Sequence, residues 1–496
     1  MNRPADVVVV VLDCVRATEL ENGPSGRLPY PFLTELRSES VVFPRTASVG
    51  HWTLPAHASL FTGLYPWVHG LYQGGAKVLG PELPLAARWL RRGGYRTASF
   101  SANRMVNPSH GWLEGFGYAA WGSSSYLRSS SPGHPPRETG NVAGPIVRRA
   151  EIPEGLQRAG YWGVVGLERF PAVLDRLARF EARIRGDGRY RRPVMAPWIE
   201  GSFDRWVRGT PANEPLFAFV NLLDAHEPYL LDREDGFSRA DLAEAARVRQ
   251  DHHGWIEGRW RPTPREGELL HRLYQGTIRL LDQRLRSLVA SLREHGRWEN
   301  TLFILTSDHG QAFGEHDLLY HLFGISNEVV QVPLWVRFPH GMRGGATGHG
   351  WTSLVDVAPT VADVTGVPGI GALEGLPLTE LVESERKGPV YALADGSTFG
   401  EPAPPSFRWR GLREDYRALA AFQGRWKAVM TLPARRVAYY DLTADPQELR
   451  PLDPSATSGA PDLGGGLGRI ADQLDSQHHP DPPDSIRHLR AWGYVD

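Results

Sequence analysis

A threonine at the start of a predicted helix is the side chain in this sequence best placed to act as a nucleophile. Thr53 lies in the segment over residues 50–63, with a proline two residues later and Thr-Gly at the end of the segment. As the N-cap of a helix, its oxygen would lie beside unpaired backbone N–H groups and the positive end of the helix dipole. Both features stabilise an alkoxide and the anionic group that it attacks. A threonine in this position is more often only a cap, so the surrounding residues have to support the catalytic interpretation.

Two apolar runs end in side chains that bind divalent cations. Residues 7–12 are all aliphatic and are followed by Asp13, and a second apolar run is followed by Asp308 and His309. A carboxylate together with an imidazole favours Zn²⁺ or Mn²⁺ over Ca²⁺, which prefers oxygen ligands. The sequence therefore predicts one Mn²⁺ or Zn²⁺ ion, with Ca²⁺ less favoured. These three side chains are expected to hold the ion, which is also expected to bind the Thr53 oxygen.

Two residues next to these segments have side chains that can also bind ligands. Cys14 follows Asp13 and could be a soft metal ligand, but beside an apolar strand it is interpreted as a packing residue. His57 lies one helical turn after Thr53, so its ring can share the same helix face. We expect His57 to hold the nucleophile or a substrate oxygen.

Further along the chain, an Asp-Ala-His segment and a separate histidine supply more candidates. His226 and His321 are expected to neutralise the anionic substrate or to protonate the leaving group. Asp224 together with these two histidines could instead bind a second metal ion. One metal ion is the preferred interpretation.

Composition and charge limit the classes of function. The chain has 496 residues, 41% of them apolar and 22% charged, with a net charge of −1 and one cysteine. Intramolecular disulfides and cysteine-rich zinc sites are therefore excluded. A net charge of −1 gives no overall field that favours nucleic acid or an anionic membrane, so neither is expected as a partner. The candidate site residues predict a small anionic ester as the substrate. No signal peptide is recognised and no apolar run reaches about 18 residues, so a cytoplasmic enzyme is expected.

The order of predicted elements indicates an α/β fold. Strands alternate with helices, which predicts a doubly wound, mostly parallel sheet flanked by helices. In such sheets, ligands gather at the carboxyl ends of the strands, where the candidate aspartates lie. The predicted strands are 7–12, 95–100, 216–223 and 302–306, and the predicted helices are 85–94 and 266–295.

The remaining segments define the expected domain organisation. Residues 1–388 are predicted to form the catalytic α/β domain, with an insertion or cap at roughly 122–212. Residues 389–496 are predicted to form a small antiparallel β subdomain and a tail. The insertion is interpreted as solvated surface rather than as a cap over the substrate, with a basic amphipathic helix near 167–186. The Gly-, Pro- and Ser-rich stretch over 453–483 is expected to be loosely ordered.

Taken together, these motifs resemble the sulfatase branch of the alkaline-phosphatase superfamily over nearly the whole chain. The combination of segments is specific to that family, although each segment alone is not. The resemblance implies a metal-dependent hydrolase of phosphate or sulfate esters. The similar segments are residues 10–16, 53–63, 224–229, 306–310 with His321, 354–360 and 440–446.

The departures from the family pattern indicate which ester is cleaved. Sulfatases carry Cys or Ser at the Thr53 position, where it becomes formylglycine, and Arg at the His57 position. Threonine cannot be converted to formylglycine, and related phosphodiesterases, phosphonoacetate hydrolases and phosphoethanolamine transferases use an unmodified threonine. Calcium-dependent sulfatases usually have Asp at the Cys14 position and often Asn at the His309 position. Both changes favour a transition metal and phosphoryl chemistry.

The sequence therefore predicts a metal-dependent hydrolase of phosphomonoesters, phosphodiesters or phosphonate esters. Its expected mechanism proceeds through a covalent intermediate on Thr53, without formylglycine. The alternatives are a sulfatase that works without formylglycine, a phosphoryl-group transferase that uses an acceptor alcohol, and a pseudoenzyme that binds an anionic ligand.

Overall fold

The computed structural model describes most of the chain outside one long internal segment. The described residues are 3–21, 28–72, 79–80, 82–103, 105–106, 114–121, 195–229, 238–245, 248, 250, 255, 260–321, 324–369, 371–395, 417–457 and 459–477. The strands are β1 Asp6–Leu12, β2 Val41–Val42, β3 Thr46–Ala47, β4 Arg96–Ser101, β5 Tyr118–Trp121, β6 Leu216–Leu222, β7 Thr301–Thr306, β8 Ala312–Phe313, β9 Leu319–Tyr320, β10 Leu334–Arg337, β11 Thr352–Ser353, β12 Val390–Asp395, β13 Arg417–Gln423, β14 Trp426–Leu432 and β15 Arg436–Asp441. The helices are α1 Pro31–Ser38, α2 Thr53–Thr62, α3 Pro66–His69, α4 Ala86–Arg92, α5 Met195–Arg208, α6 Arg239–Ala245, α7 Pro264–Glu294, α8 Asn327–Val330, α9 Val357–Thr365, α10 Leu378–Leu381 and α11 Leu463–Gln477.

A seven-stranded sheet forms the centre of the molecule, in the order β2-β10-β7-β1-β6-β4-β5. The five strands from β7 to β5 are parallel to their neighbours, whereas β10 is antiparallel to both β7 and β2. Leu12 at the end of β1 pairs with Leu222 at the end of β6, and Val11 pairs with Thr306 at the end of β7. The carboxyl ends of these three strands therefore meet at one edge. The predicted doubly wound, mostly parallel sheet is confirmed.

The aliphatic run of β1 is buried because helices cover both faces of the sheet. Val8 and Val10 lie in a core cluster with residues of α1, α5 and α7, while Val7 and Val9 lie in a second cluster with residues of α2, α4, α9 and α10. Side chains alternate between the faces of a strand, so both faces have to be apolar here. Burial of each such side chain stabilises the fold by roughly 1.5–3 kcal/mol.

The longest helix, α7, begins and ends close to its predicted limits. The Thr263 side chain accepts a hydrogen bond from the Glu266 N–H, and the Glu266 carboxylate accepts one from the Thr263 N–H. This capping box, together with Pro264 in the first turn, satisfies donors that a helix start leaves unpaired.

The end of the predicted insertion belongs to the core of the α/β layer. In α5, Ile199, Phe203 and Val207 are buried in the same cluster as the inner residues of the sheet. The expectation of a surface insertion is therefore wrong for Met195–Arg208, because the helix has an apolar face that packs on the sheet. The predicted basic helix at 167–186 lies outside the described residues.

The C-terminal part forms a four-stranded antiparallel sheet in the order β12-β13-β14-β15, as predicted. The expectation of a loosely ordered tail over 453–483 is wrong for Leu463–Gln477, which form α11. Leu467, Ala471 and Leu474 are buried against this sheet, and that packing orders a glycine-rich segment. Among the described helices, none is long and apolar enough to cross a membrane.

Candidate active site

Two aspartates meet at the carboxyl edge of the central sheet because the strands before them are neighbours. Asp13 follows β1 and Asp308 follows β7. The Asp13 Oδ2 atom accepts hydrogen bonds from the side-chain amides of Asn103, at 2.7 Å, and Asn221, at 3.3 Å. Both aspartates are fully buried, or nearly so. The predicted carboxylate pair is therefore brought together in the interior.

The side chains of Asp308 and His309 place a carboxylate oxygen and an imidazole nitrogen close together. The Asp308 Oδ1 atom accepts hydrogen bonds from the backbone N–H groups of His309 and Cys14. Its Oδ2 atom is buried without a hydrogen-bond partner and lies 3.4 Å from the His309 Nε2 atom. Nδ1 of His309 lies 3.0 Å from the Gly310 carbonyl oxygen and is assigned the proton, so Nε2 keeps its lone pair. Asp308 Oδ2 and His309 Nε2 are thus a carboxylate oxygen and an imidazole nitrogen suited to a shared cation.

Electrostatics at this edge also favour a cation. Burial alone would raise the pKa of Asp13, but the nearby His226 and His309 rings hold it below its ordinary value. Burial and the charge of Asp13 raise the pKa of Asp308 to about 7. The charge of Asp13 thus acts unfavourably on the charged form of Asp308, and a divalent cation bound to both carboxylates would remove that repulsion.

The proposed nucleophile lies on the same edge, at the start of α2. The N-cap of α2 is Trp52, so Thr53 is the first helical residue and not the cap that the sequence predicted. Its Oγ1 atom is therefore not used in capping. It accepts a hydrogen bond of 3.3 Å from the Asn103 amide, which also donates to Asp13. One amide group thus joins the hydroxyl to the carboxylate pair.

His57 contacts the backbone of its own helix, α2, and lies near the Asp308 carboxylate. Its Nδ1 atom lies 2.9 Å from the Thr53 carbonyl oxygen and 3.7 Å from the Asp308 Oδ2 atom. The ring is buried and meets Phe219 edge-on, with centroids 5.6 Å apart. His57 therefore holds the first turn of α2 against the carboxylates, which supports a positioning role.

His226 and His321 come together as predicted, with a glutamate between them. Their ring centroids are 5.1 Å apart. The Glu227 Oε2 atom lies 3.5 Å from Nδ1 of His226 and 4.0 Å from Nδ1 of His321. Gln311 donates to Glu227 at 2.7 Å and accepts from His321 at 2.7 Å. Burial alone would lower the pKa of His226, but the carboxylates of Glu227 and Asp13 raise it above its ordinary value.

Asp224 has a different environment from the one predicted for a second metal site. Its Oδ1 atom lies 3.7 Å from Nε of Arg284, a residue of α7. The carboxylate that accompanies His226 and His321 is that of Glu227, and Cys14 completes the group. Asp224 and Glu227 lie in the same loop, and the conformation of that loop decides which of the two carboxylates lies beside His226 and His321.

The Cys14 thiol contacts polar side chains of the site, in addition to the buried position that the sequence interpretation of a packing residue implied. Its Sγ atom lies 3.3 Å from Asp13 Oδ1 and 3.7 Å from His321 Nδ1. Burial, followed by the charges of Asp13, Glu227 and Asp308, raises the pKa of the thiol well above its ordinary value. Ligand atoms of Asp13, Cys14 and His309 lie within 4.8 Å of one another.

Four polar residues of the site were not recognised in the sequence: Asn103, Asn221, Glu227 and Gln311. Asn103 lies two residues beyond the end of β4, at the same edge of the sheet, and that position is a signal that could have found it. Gln311 lies two residues after His309. Glu227 follows His226 directly and carries no separate signal in the sequence.

The residues present fit a divalent cation. Asp13, Asp308, His309 and the Thr53 hydroxyl supply oxygen and nitrogen ligands, and one of those oxygens is buried and lacks any hydrogen-bond donor. This mixed ligand set is typical of sites for Mn²⁺ or Zn²⁺.

Comparison with known proteins gives consistent matches. The family model described as Sulfatase matches residues 5–367. The multifunctional alkaline phosphatase superfamily protein PehA of Trinickia caryophylli is 26% identical over 480 residues, which covers 90% of this chain and 91% of PehA. The match to the N-acetylglucosamine-6-O-sulfatase of Bacteroides thetaiotaomicron, at 27% identity, covers 42% of this chain and only 36% of that relative. The crystal structure of the phosphonate monoester hydrolase of Agrobacterium radiobacter superposes with a TM-score of 0.62 at 20% identity, and the match covers 95% of each chain.

Proposed function

This chain belongs to the Sulfatase family, within the superfamily of sulfatases and alkaline phosphatases, and from that premise we propose that it hydrolyses phosphate-type esters through Thr53. Phosphodiesters and phosphonate monoesters are the substrates expected first. The observation that carries the proposal is the Asn103 amide, which donates to both Thr53 Oγ1 and Asp13 Oδ2. An oxygen held in this way beside buried carboxylates is suited to nucleophilic attack.

The bond changes follow from the positions of these residues. In the first step, the Thr53 Oγ1–P bond forms as the hydroxyl proton passes to solvent, and the ester P–O bond breaks as the departing oxygen takes up a proton from solvent and leaves as the alcohol. In the second step, the oxygen of water bonds to phosphorus, the Thr53 Oγ1–P bond breaks, and a proton from that water restores the Thr53 hydroxyl. Asn103 orients the nucleophile, and the first turn of α2 supplies N–H groups and a dipole that favour the anion.

Asp13, Asp308 and His309 would hold a divalent cation, which when bound would supply Lewis-acid chemistry that lowers the pKa of a hydroxyl and neutralises the anion. His57 keeps the α2 backbone against Asp308 while this chemistry proceeds. His226 and His321 lie next to this group and supply positive charge or hydrogen bonds to the substrate oxygens.

Phosphate-type esters are expected as substrates in preference to sulfate esters, because the residue at the start of α2 is Thr53. The formylglycine of sulfatases releases sulfate by elimination from an aldehyde hydrate, whereas a sulfate ester on the threonine oxygen lacks the second hydroxyl that this elimination needs. A phosphorylated threonine can instead be cleaved by water at phosphorus. Sulfate-ester hydrolysis is the second candidate, favoured by the similarity to an N-acetylglucosamine-6-O-sulfatase.

A substrate panel tests the proposal. The purified protein is stripped of metal, reloaded with Mn²⁺, Zn²⁺ or Ca²⁺, and assayed with p-nitrophenyl phosphate, bis-p-nitrophenyl phosphate, p-nitrophenyl phenylphosphonate and p-nitrophenyl sulfate. We expect phosphoryl turnover with Mn²⁺ or Zn²⁺ and little sulfate cleavage. Thr53→Ala is expected to lose turnover, whereas Thr53→Ser keeps a hydroxyl and retains part of it.

Two results would contradict the proposal. Dominant sulfate cleavage would favour the second candidate. A Thr53→Ala protein with more than about a tenth of the wild-type rate would remove Thr53 from the nucleophile role, since loss of a covalent nucleophile lowers rates by far more than tenfold.

A further inference from the structure

A lysine of the C-terminal sheet is fully buried and holds the segment that leads into α8. Lys427 lies in β14, and its Nζ atom donates to the Ile325 carbonyl oxygen at 2.7 Å and to Asn327 Oδ1 at 3.1 Å. Its ion-pair partner is Glu448, whose side chain is also fully buried. The other carboxylate oxygen of Glu448 accepts the backbone N–H of Asn327 at 2.7 Å. Two residues from the C-terminal part of the chain thus hold the start of α8.

Stability alone is a poor explanation of this buried ion pair. Burial lowers the pKa of Lys427, while the charge of Glu448 acts in the opposite direction. The cost of removing two charges from water is often as large as their mutual attraction, so apolar residues in both places can be equally stable. A pair of this kind does fix the orientation of the groups that it contacts. The contacts that α8 makes with the rest of the molecule therefore indicate what the pair does.

Three consecutive carbonyl groups of α8 accept hydrogen bonds from segments that form the active site. These bonds run from Gln311 N–H to Glu328 O at 2.9 Å, from Gly310 N–H to Val329 O at 2.6 Å and from Ser48 N–H to Val330 O at 2.7 Å. The Ser48 hydroxyl also donates to the Asp308 carbonyl oxygen. The helix therefore sets the backbone position of the loop after β7 and of the segment that leads to α2.

The loop held by α8 carries the side chain that organises one half of the site. Gln311 donates to Glu227 Oε2 and accepts from His321 Nδ1, each at 2.7 Å. A displacement of the Gln311 backbone would change both contacts together. Because a misplacement of about 1 Å at an active site can cost about 10²-fold in rate, a smaller displacement is enough to slow catalysis measurably.

We propose that Lys427 and Glu448 are positioning residues for the active site, which act through α8 on the backbone of Gly310 and Gln311. Their role is to orient Gln311 and the side chains that it contacts, and not to bind substrate. The effect on catalysis rests on the proposed function, whereas the effect on the backbone does not.

Hydrogen exchange of the full-length protein, resolved to single amides by mass spectrometry, tests the effect on the backbone. The variant is Lys427→Met/Glu448→Gln, which removes both charges together so that neither is left buried alone. We expect the Gly310 and Gln311 amides to exchange about tenfold faster than in the wild-type protein, with no change in β1.

Met430→Ala is the matched control for this experiment. Met430 also lies in β14, but it is three residues from Lys427 and so on the opposite face of the strand, in the core cluster that contains residues of α11. Its truncation weakens the packing of the C-terminal sheet without a change in the contacts to α8. We expect the Gly310 and Gln311 amides to exchange as in the wild-type protein.

Hydrolysis of a phosphonate monoester tests the effect on catalysis. We expect kcat of Lys427→Met/Glu448→Gln to fall about tenfold, with a smaller change in KM. Because the pair acts through Gln311, the same two changes should cost little more when they are added to Gln311→Ala. A loss of folded protein would instead lower kcat by the same factor in both backgrounds.

Unchanged exchange at Gly310 and Gln311 would overturn the inference, and so would losses in kcat that multiply in the combined variant. Urea unfolding checks that each variant is folded. Asn327→Ala removes one acceptor of Lys427 and keeps both charges, so it repeats the exchange test with a smaller expected increase, and no increase would also overturn the inference. A wild-type protein without phosphonate hydrolysis would contradict the proposed function, while the exchange result would still decide the effect on the backbone.

Discussion

At the scale of single residues, Asn103 connects the proposed nucleophile to one of the proposed metal ligands through hydrogen bonds. Its amide nitrogen donates to Asp13 at 2.7 Å and to Thr53 at 3.3 Å, while its carbonyl oxygen accepts from the Met105 N–H. Because the carbonyl contact fixes which way the amide faces, the donor side is directed into the site. Asn103 therefore orients the Thr53 oxygen before substrate binds.

Replacement of Asn103 by alanine should slow catalysis. We expect kcat for a phosphonate monoester to fall about 10²-fold, with a smaller change in KM, because an oriented donor acts mainly in the transition state. Asn221→Ala is the matched control, since Asn221 donates to Asp13 without a described contact to Thr53. Equal losses in the two variants would show that only the Asp13 contact matters.

At the scale of elements, the short helix α8 fixes the loop that carries three site residues. The Gly310 N–H donates to the Val329 carbonyl oxygen at 2.6 Å, and the Gln311 N–H donates to the Glu328 carbonyl oxygen at 2.9 Å. The buried side chain of His316, beyond β8, lies with its Nε2 atom 3.5 Å from Glu328 Oε2. This pair links the loop after β7 to α8.

Glu328 makes this link dependent on pH. Burial alone would raise its pKa, but contacts with His316 lower it from 4.5 to about 2. A depressed carboxyl pKa stabilises the fold above the unfolded pKa, and the contribution disappears as pH falls from 4.5 towards 2. The shift corresponds to roughly 3 kcal/mol, and we expect about 2 kcal/mol because the 3.5 Å contact is longer than a good hydrogen bond.

Glu328→Gln should therefore lower the free energy of unfolding at pH 7 by about 2 kcal/mol. Urea unfolding at pH 7 and at pH 3 measures the difference, which should shrink at the lower pH. Glu383→Gln is the control, because its exposed ion pair with Arg343 should contribute no more than about 1 kcal/mol. A Glu328 effect that does not change with pH would contradict the electrostatic explanation.

At the scale of the whole molecule, the sequence predicted the sheet and the residues at its edge. Uninterrupted aliphatic runs such as 7–12 can only be buried on both faces, and strands of that kind form parallel sheets with ligand sites at their carboxyl ends. The same local pattern, together with general sheet topology, predicts that Asp13 and Asp308 lie at this edge.

Features that depend on tertiary packing were not predicted. Glu227 and Asp224 are both carboxylates near His226, and only the loop conformation decides which one joins His321. The sequence pattern also led to a wrong prediction for α11. This segment is rich in glycine, but it has an apolar face that is ordered by packing against β13 and β14. The role of Asn103 was missed for the same reason, because its amide can donate to Asp13 only when β4 and β1 lie in one sheet.

The most direct test of the central claim is to trap the covalent intermediate. The metal-loaded enzyme is mixed with p-nitrophenyl phenylphosphonate, quenched in acid within the first turnover, digested and analysed by tandem mass spectrometry. The account predicts a phenylphosphonyl group on the peptide that contains Thr53, assigned to Thr53 and missing from Thr53→Ala. Rapid turnover with no adduct on that peptide, or an adduct on another residue, would contradict it.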